Sequence, residues 1–171
     1  MAAAAFALLA ALLIAPPLAA QRDARAAHRN VADLVSDSYV ILSGRVTRVY
    51  AEAHPQFSNI NTVVIEVQVS EVLKGQAGST YKFRAFVQHP LDSKAKLGYS
   101  DGQEYLLMLT QPHAQTGLSS PAGLEQGRFR IARDANGNRI VANGYNNAGL
   151  FRNVGKAAPK LDSQLAGMPA R

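Results

Sequence analysis

The chain has 171 residues, 18 of them basic and 12 acidic, for a formal charge of +6, and it has no cysteine. The missing thiol excludes disulfides, a cysteine nucleophile, a zinc ribbon, an iron–sulfur site and a thioether-linked lipid anchor. The basic balance suits anionic surfaces such as lipid, polysaccharide or nucleic acid, and is equally an ordinary solubility charge.

Residues 1–20, MAAAAFALLAALLIAPPLAA, carry no charged side chain, and their apolar run ends at Ala15. That run is shorter than the ~20 residues of a membrane-spanning helix. Small residues precede Gln21, so the segment reads as a signal peptide removed after Ala20, although its start lacks Lys or Arg. An uncleaved N-terminal anchor is the alternative. The expected location is therefore exported, periplasmic or secreted. Residues 21–30 are polar and Arg-rich, and a flexible leader is expected there.

Val31, Leu34 and Val35 fall at helical spacing and predict a short helix before Ser36-Asp37. Residues 39–50, YVILSGRVTRVY, read as a strand rich in β-branched and aromatic residues, with Gly44 marking a bulge or a close backbone approach. Residues 51–61 read as a loop. The next stretch, TVVIEVQVSEVLKG over residues 62–75, places Val63, Ile65, Val67 and Val69 on one face and Glu66 and Gln68 on the other. Its phase slips at Ser70–Glu71, which predicts a bulge in a long bent strand. After a turn at residues 76–79, residues 80–88 alternate again. Tyr81, Phe83, Ala85 and Val87 share one face, and Lys82, Arg84 and Phe86 share the other.

Residues 89–101 form a loop, and residues 104–109, EYLLML, read as a strand buried on both faces. A long polar loop over 110–127 leads to a strand over 128–133 with Phe129 and Ile131 inward. Asn136-Gly137 marks a hairpin turn needing positive φ, and Ile140-Val141 return as a short strand. Residues 152–171 are basic and rich in Pro, Gly and Ala, composition expected to stay disordered. The strands amount to an all-β domain over residues 31–151. The expectation is a five-stranded OB-type barrel with one or two short helices.

Asp134, Asn136 and Asn138 match the first ligand positions of a calcium loop, but Arg139 stands where its Gly belongs and Tyr145 where its Glu belongs. His28, His54, His89 and His113 are scattered one per loop or leader, at no metal-ligand spacing. No nucleophile elbow occurs, and no carboxylate pair follows from spacing. No catalytic residue, metal ligand or cofactor is assigned, and an enzyme is not the expected reading. Lys82, Arg84 and Phe86, with Arg128 and Arg130 expected near them, are the candidate binding residues. In an OB-type barrel such a face stacks bases and neutralises phosphates, whereas in an exported protein it is more simply a solvated face.

Three fragments carry a family resemblance. Residues 36–46, SDSYVILSGRV, are similar to the opening strand of netrin-like modules. Residues 67–75, VQVSEVLKG, resemble the end of their long strand, and residues 101–107, DGQEYLL, a later one. The same order occurs in the inhibitory domain of the tissue inhibitors of metalloproteinases, and small secreted bacterial proteins look alike over this region. The resemblance implies an OB-type barrel and a non-catalytic binding module with a protein partner in the cell envelope or medium, an exported protease among the candidates. Nucleic acid is not an expected partner. Those inhibitors place an N-terminal cysteine on the catalytic zinc, and this chain has none, so no inhibitory residue carries over. A binder of an anionic polymer or surface, or an enzyme of unknown type, remains an alternative. The loops over 51–61, 89–101 and 110–127 are the expected binding loops.

Overall fold

The computed structural model describes residues 27–88 and 97–154. The expected signal peptide, most of the tail and His89 lie outside them. The elements are α1 (Val31–Asp37), β1 (Val40–Ala53), β2 (Asn61–Lys74), β3 (Thr80–Phe86), β4 (Glu104–Leu109), β5 (Arg128–Arg133) and β6 (Arg139–Asn143). The six strands form one antiparallel sheet in the order β3-β2-β1-β4-β5-β6.

The expected five-stranded closed barrel is therefore corrected. β3 and β6 are sheet edges and do not pair with each other. The 110–127 loop instead stitches β4 to the free edge of β3. Leu109 bridges Pro121 and Arg84 bridges Leu118, and the Ser119 amide donates to the Arg84 carbonyl at 2.9 Å. Single bridges replace a ladder here because Pro121 has no amide proton to offer and the loop's turns interrupt extended backbone.

The β1–β2 ladder carries the curvature. Ser43 pairs with Glu71 and Gly44 with Val69, which leaves Ser70 as the extra residue. This is the bulge that the phase slip predicts; beyond it Val72 stands opposite Leu42 and is exposed, while Leu73 packs against the cluster that contains Ile41. Two further irregularities fall between Ile41 and Leu42 and between Val46 and Arg48. Gly44 sits where the strands touch, for a Cβ there would lie 2.4 Å from the Gln68 carbonyl oxygen and 2.7 Å from Val67 Cγ1.

Two cores lie on opposite faces of the sheet. One joins Val40, Leu42, Val46 and Val49 of β1 to Val63, Ile65 and Val67 of β2, Phe83 and Ala85 of β3, and Tyr105, Leu107 and Leu109 of β4, with Tyr99 from the loop before β4. The other joins Val31 and Leu34 of α1 to Ile41, Leu106, Met108, Ala122, Phe129, Ile131 and Leu150. Glu66 is half-buried and Gln68 exposed, while Val64 on their side of β2 is fully buried.

Helix α1 begins at Asn30, whose side chain accepts the Asp33 amide proton at 2.9 Å, the usual N-terminal cap. In the described part of the leader, residues 27–30, the backbone is hydrogen-bonded to Gln126. Gln126, buried, accepts the Arg29 amide proton at 2.8 Å and donates to the Ala27 carbonyl at 3.1 Å. A buried amide needs such partners, and the leader backbone supplies them.

Candidate functional site

Residues 128–143, RFRIARDANGNRIVAN, carry Arg128, Arg130, Arg133 and Arg139 against one acid, Asp134. Asp134 is consumed by the turn. Its Oδ1 accepts the amide protons of Asn136 and Asn138 at 2.8 Å each, and its Oδ2 accepts from Asn138 Nδ2 at 3.1 Å. Hydrogen bonds from the Asn138 side chain first, then from the backbone, hold its carboxyl below the usual aspartate range. Among the turn residues positive φ falls on Gly137 alone, at 82°. Its amide donates to the Asp134 carbonyl at 3.0 Å, and the Asp134 amide to the Asn138 carbonyl at 2.9 Å. This is a type I turn closed by a left-handed glycine, not a turn with two positive φ values.

Strand alternation sorts the four arginines onto two faces. Arg128 and Arg130 stand opposite Leu107 and Tyr105, on the side of the first core. Arg133 stands directly opposite Arg139, on the side of Ile131. A cleft of about 550 Å³ opens on the first side, lined by Tyr105, Arg128, Arg130, Ala132, Ile140 and Ala142, together with Gly98 and Ser100. A second hollow of about 380 Å³ lies on the other face, beside Ser43, Ser70, Glu71, Glu104, Arg133 and Arg139.

In the first cleft the two guanidinium groups differ. Arg128 lies over the Tyr99 ring at 4.6 Å, pairs with Glu125 at 2.8 Å and donates to the Leu97 carbonyl. Burial pushes the Glu125 carboxyl up and the Arg128 charge opposes it. Tyr99 is 3% exposed, and its hydroxyl has no hydrogen-bond partner among the described residues. Burial pushes that phenol up well above its ordinary value. Arg130 is tethered by one atom only. Its Nε donates to Gln103 Oε1 at 2.8 Å. Gln103 is itself fixed, because its Nε2 donates to the carbonyls of Ile131 at 2.6 Å and Glu104 at 3.0 Å. The two Nη groups of Arg130 have no partner among the described residues.

The five candidate residues from the sequence are not brought together. β3 and β5 are separated in the sheet by β2, β1 and β4, and the side chains point to opposite faces. Lys82, Arg84 and Phe86 stand opposite Glu66, Val64 and Thr62. Lys82 Nζ lies 3.3 Å from Glu66 Oε1 and 5.6 Å from the Tyr50 ring. Hydrogen bonds to Tyr50 and then Glu66 raise its ammonium above the usual lysine value. Arg84 pairs with Glu52 at 2.7 Å and donates to Thr62 Oγ1 at 3.1 Å. The β3 cations are thus committed to neighbouring groups, and Phe86, 58% exposed, stands beside them. Gln103 and Tyr99 escaped sequence reasoning: Gln103 lies in the fragment over 101–107 but carries no signal there of its bond to Arg130, and Tyr99 belongs to no motif.

His54, one of the scattered loop histidines, is buried. Its Nδ1 accepts the Gln56 and Phe57 amide protons at 3.1 Å, and its Nε2 meets the Thr116 carbonyl at 2.7 Å. It pins two of the three expected binding loops to each other. Among the described residues no group of three His, Asp or Glu side chains could hold a metal, and no helix is long and apolar enough to cross a membrane. Comparison of the chain with protein-family models, with curated proteins and with solved structures gave no match.

Proposed function

We propose that the protein is an exported, non-catalytic binding module that engages an anionic polymer or surface through the β5–β6 hairpin. The observation that carries this reading is the Arg133–Arg139 pair. Like charges directly opposite on a ladder are destabilising. The one acid in the hairpin is committed to its own turn, and of the two carboxylates beside the pair in the same hollow, Glu71 and Glu104, Glu104 is already paired with Arg45 at 2.6 Å. A polyanion laid across the ribbon would neutralise both, and net charge of this sign favours such an encounter.

The test uses heparin as the polyanion and measures affinity against salt concentration. The expected outcome is an affinity that falls steeply with salt, and a double variant Arg133→Gln, Arg139→Gln whose log–log slope is smaller by about two, one per cation lost. Lys82→Gln, on a face where Glu66 already neutralises the lysine, is expected to leave the slope nearly unchanged. Equal losses for both variants would mean unspecific charge attraction and would remove the hairpin from the argument.

A further inference from the structure

We infer that the cleft beside β5 and β6 is a recognition site for one oxyanion group, a carboxylate, sulfate or phosphate, carried on a body about the size of a ring. The inference rests on the preceding reading only for the sign of the ligand's charge. Its own grounds are the state of Arg130 and the shape of the space before it.

An arginine fork has five N–H donors in fixed geometry, and a planar or tetrahedral oxyanion takes two of them side by side. A surface arginine with no tether loses much entropy on ordering, so it binds an oxyanion weakly. Arg130 is tethered in advance. Its Nε is held by Gln103 Oε1 at 2.8 Å. The Gln103 amide cannot turn away, because its Nε2 is bonded at 2.6 Å and 3.0 Å to two backbone carbonyls of β5 and β4. What remains for a ligand is the pair of Nη groups. This is the pattern of a positioned recognition side chain, with Gln103 as its positioning residue.

The surroundings set the sign and size of the ligand. Among the described residues no carboxylate lines the cleft, and Arg128, part of its wall, is paired with Glu125 at 2.8 Å. Beside Arg130, Ala142 is its direct ladder partner, and Ala132 pairs with Ile140 on the same face. Ile140 is 43% exposed. These side chains make an apolar shelf next to the free fork. A volume of about 550 Å³ lies in the range of small-ligand pockets and far exceeds a bare ion. A ligand with one oxyanion group and an apolar or ring-shaped body fits both features.

The experiment titrates the protein with phenyl phosphate, benzoate, inorganic phosphate and benzamide, following arginine Nε–Hε and tyrosine ring signals by NMR. Phenyl phosphate and benzoate are expected to shift the Arg130 and Tyr105 signals saturably. Inorganic phosphate should bind more weakly for want of the shelf, and benzamide should not bind. Arg130→Gln should weaken phenyl phosphate by about tenfold or more, the worth of a charge-assisted pair. Arg130→Lys, which keeps the charge but not the fork, should also weaken it, and Gln103→Leu should do so several-fold with every charge retained. Lys82→Gln should change nothing. Heparin affinity measured on the same samples separates the two readings. If phenyl phosphate moved all arginine signals alike, or if Arg130→Lys bound as well as the parent, the cleft site would fall. Intact heparin binding would then leave the polyanion reading in place, and loss of both would remove both.

Discussion

Asp134 anchors the β5–β6 turn as an acceptor of three hydrogen bonds. These bonds favour its ionised form and lower its pKa from the ordinary 3.8. A carboxyl lowered on folding contributes stability above its unfolded pKa, and that contribution is lost as pH falls through the folded value. The expected outcome is that the Asn136 and Asn138 amide signals titrate together with a midpoint below 3.8, and that Asp134→Asn abolishes the titration. A midpoint at or above the ordinary value would mean that the turn is held by its backbone bonds alone. At this scale the turn was legible from Asn136-Gly137, but its type was not. The Asp134 bonds fix a longer loop, and only Gly137 needs the left-handed conformation. Arg128 and Arg130 were legible as a same-face pair from their spacing of two. What orients them was not, because Gln103 and Tyr99 reach them across the fold, and an isolated Gln or Tyr carries no local pattern.

β2 shows what alternation can and cannot decide. A strand's period of two fixes which residues share a face, and the slip at Ser70 becomes the observed bulge opposite Ser43 and Gly44. The boundaries were less legible. β1 runs on to Ala53 because it pairs with the start of β2, a partner that local composition does not reveal. Burial of Val64 at 0% was not legible either. It is covered on its outer face where Arg84 stands opposite and pairs with Glu52. The faces of the strand therefore differ most at Val67 and Gln68. Val67 is fully buried in the first core, and Val67→Ala should cost about 2–4 kcal/mol through lost transfer energy and a residual cavity. Gln68 is exposed and donates to the Ser79 carbonyl at 2.9 Å, so Gln68→Ala should cost ~0.5 kcal/mol or less. Chemical denaturation at unchanged slope measures both. Equal costs would place both faces of β2 in packed surroundings at this position.

In the whole molecule, one sheet serves two cores, and the topology explains why the expected barrel is open. β4 pairs with β1 on one side and β5 on the other, so its second edge is taken by the β5–β6 hairpin where a barrel would continue to β3. The 110–127 loop then spans the gap with two bridges. Strand number and order are set by these long-range pairings, which single-strand patterns do not encode. β1 and β4 contribute alternate residues to both cores: Ile41, Leu106 and Met108 to one, Val40, Leu42, Tyr105, Leu107 and Leu109 to the other. Loss of either core should therefore unfold the same strands. Phe129 is fully buried in the core under α1, and Phe129→Ala should cost about 3–5 kcal/mol. The rings of Tyr99 and Tyr105, 5.4 Å apart, lie in the opposite core and give a near-ultraviolet circular dichroism signal that reports on it. If the cores are coupled through β1 and β4, the far- and near-ultraviolet transitions of Phe129→Ala move down together, with coincident midpoints. A tyrosine signal that kept its original midpoint while the far-ultraviolet signal split into two steps would show that the β5–β6 side opens as a separate unit.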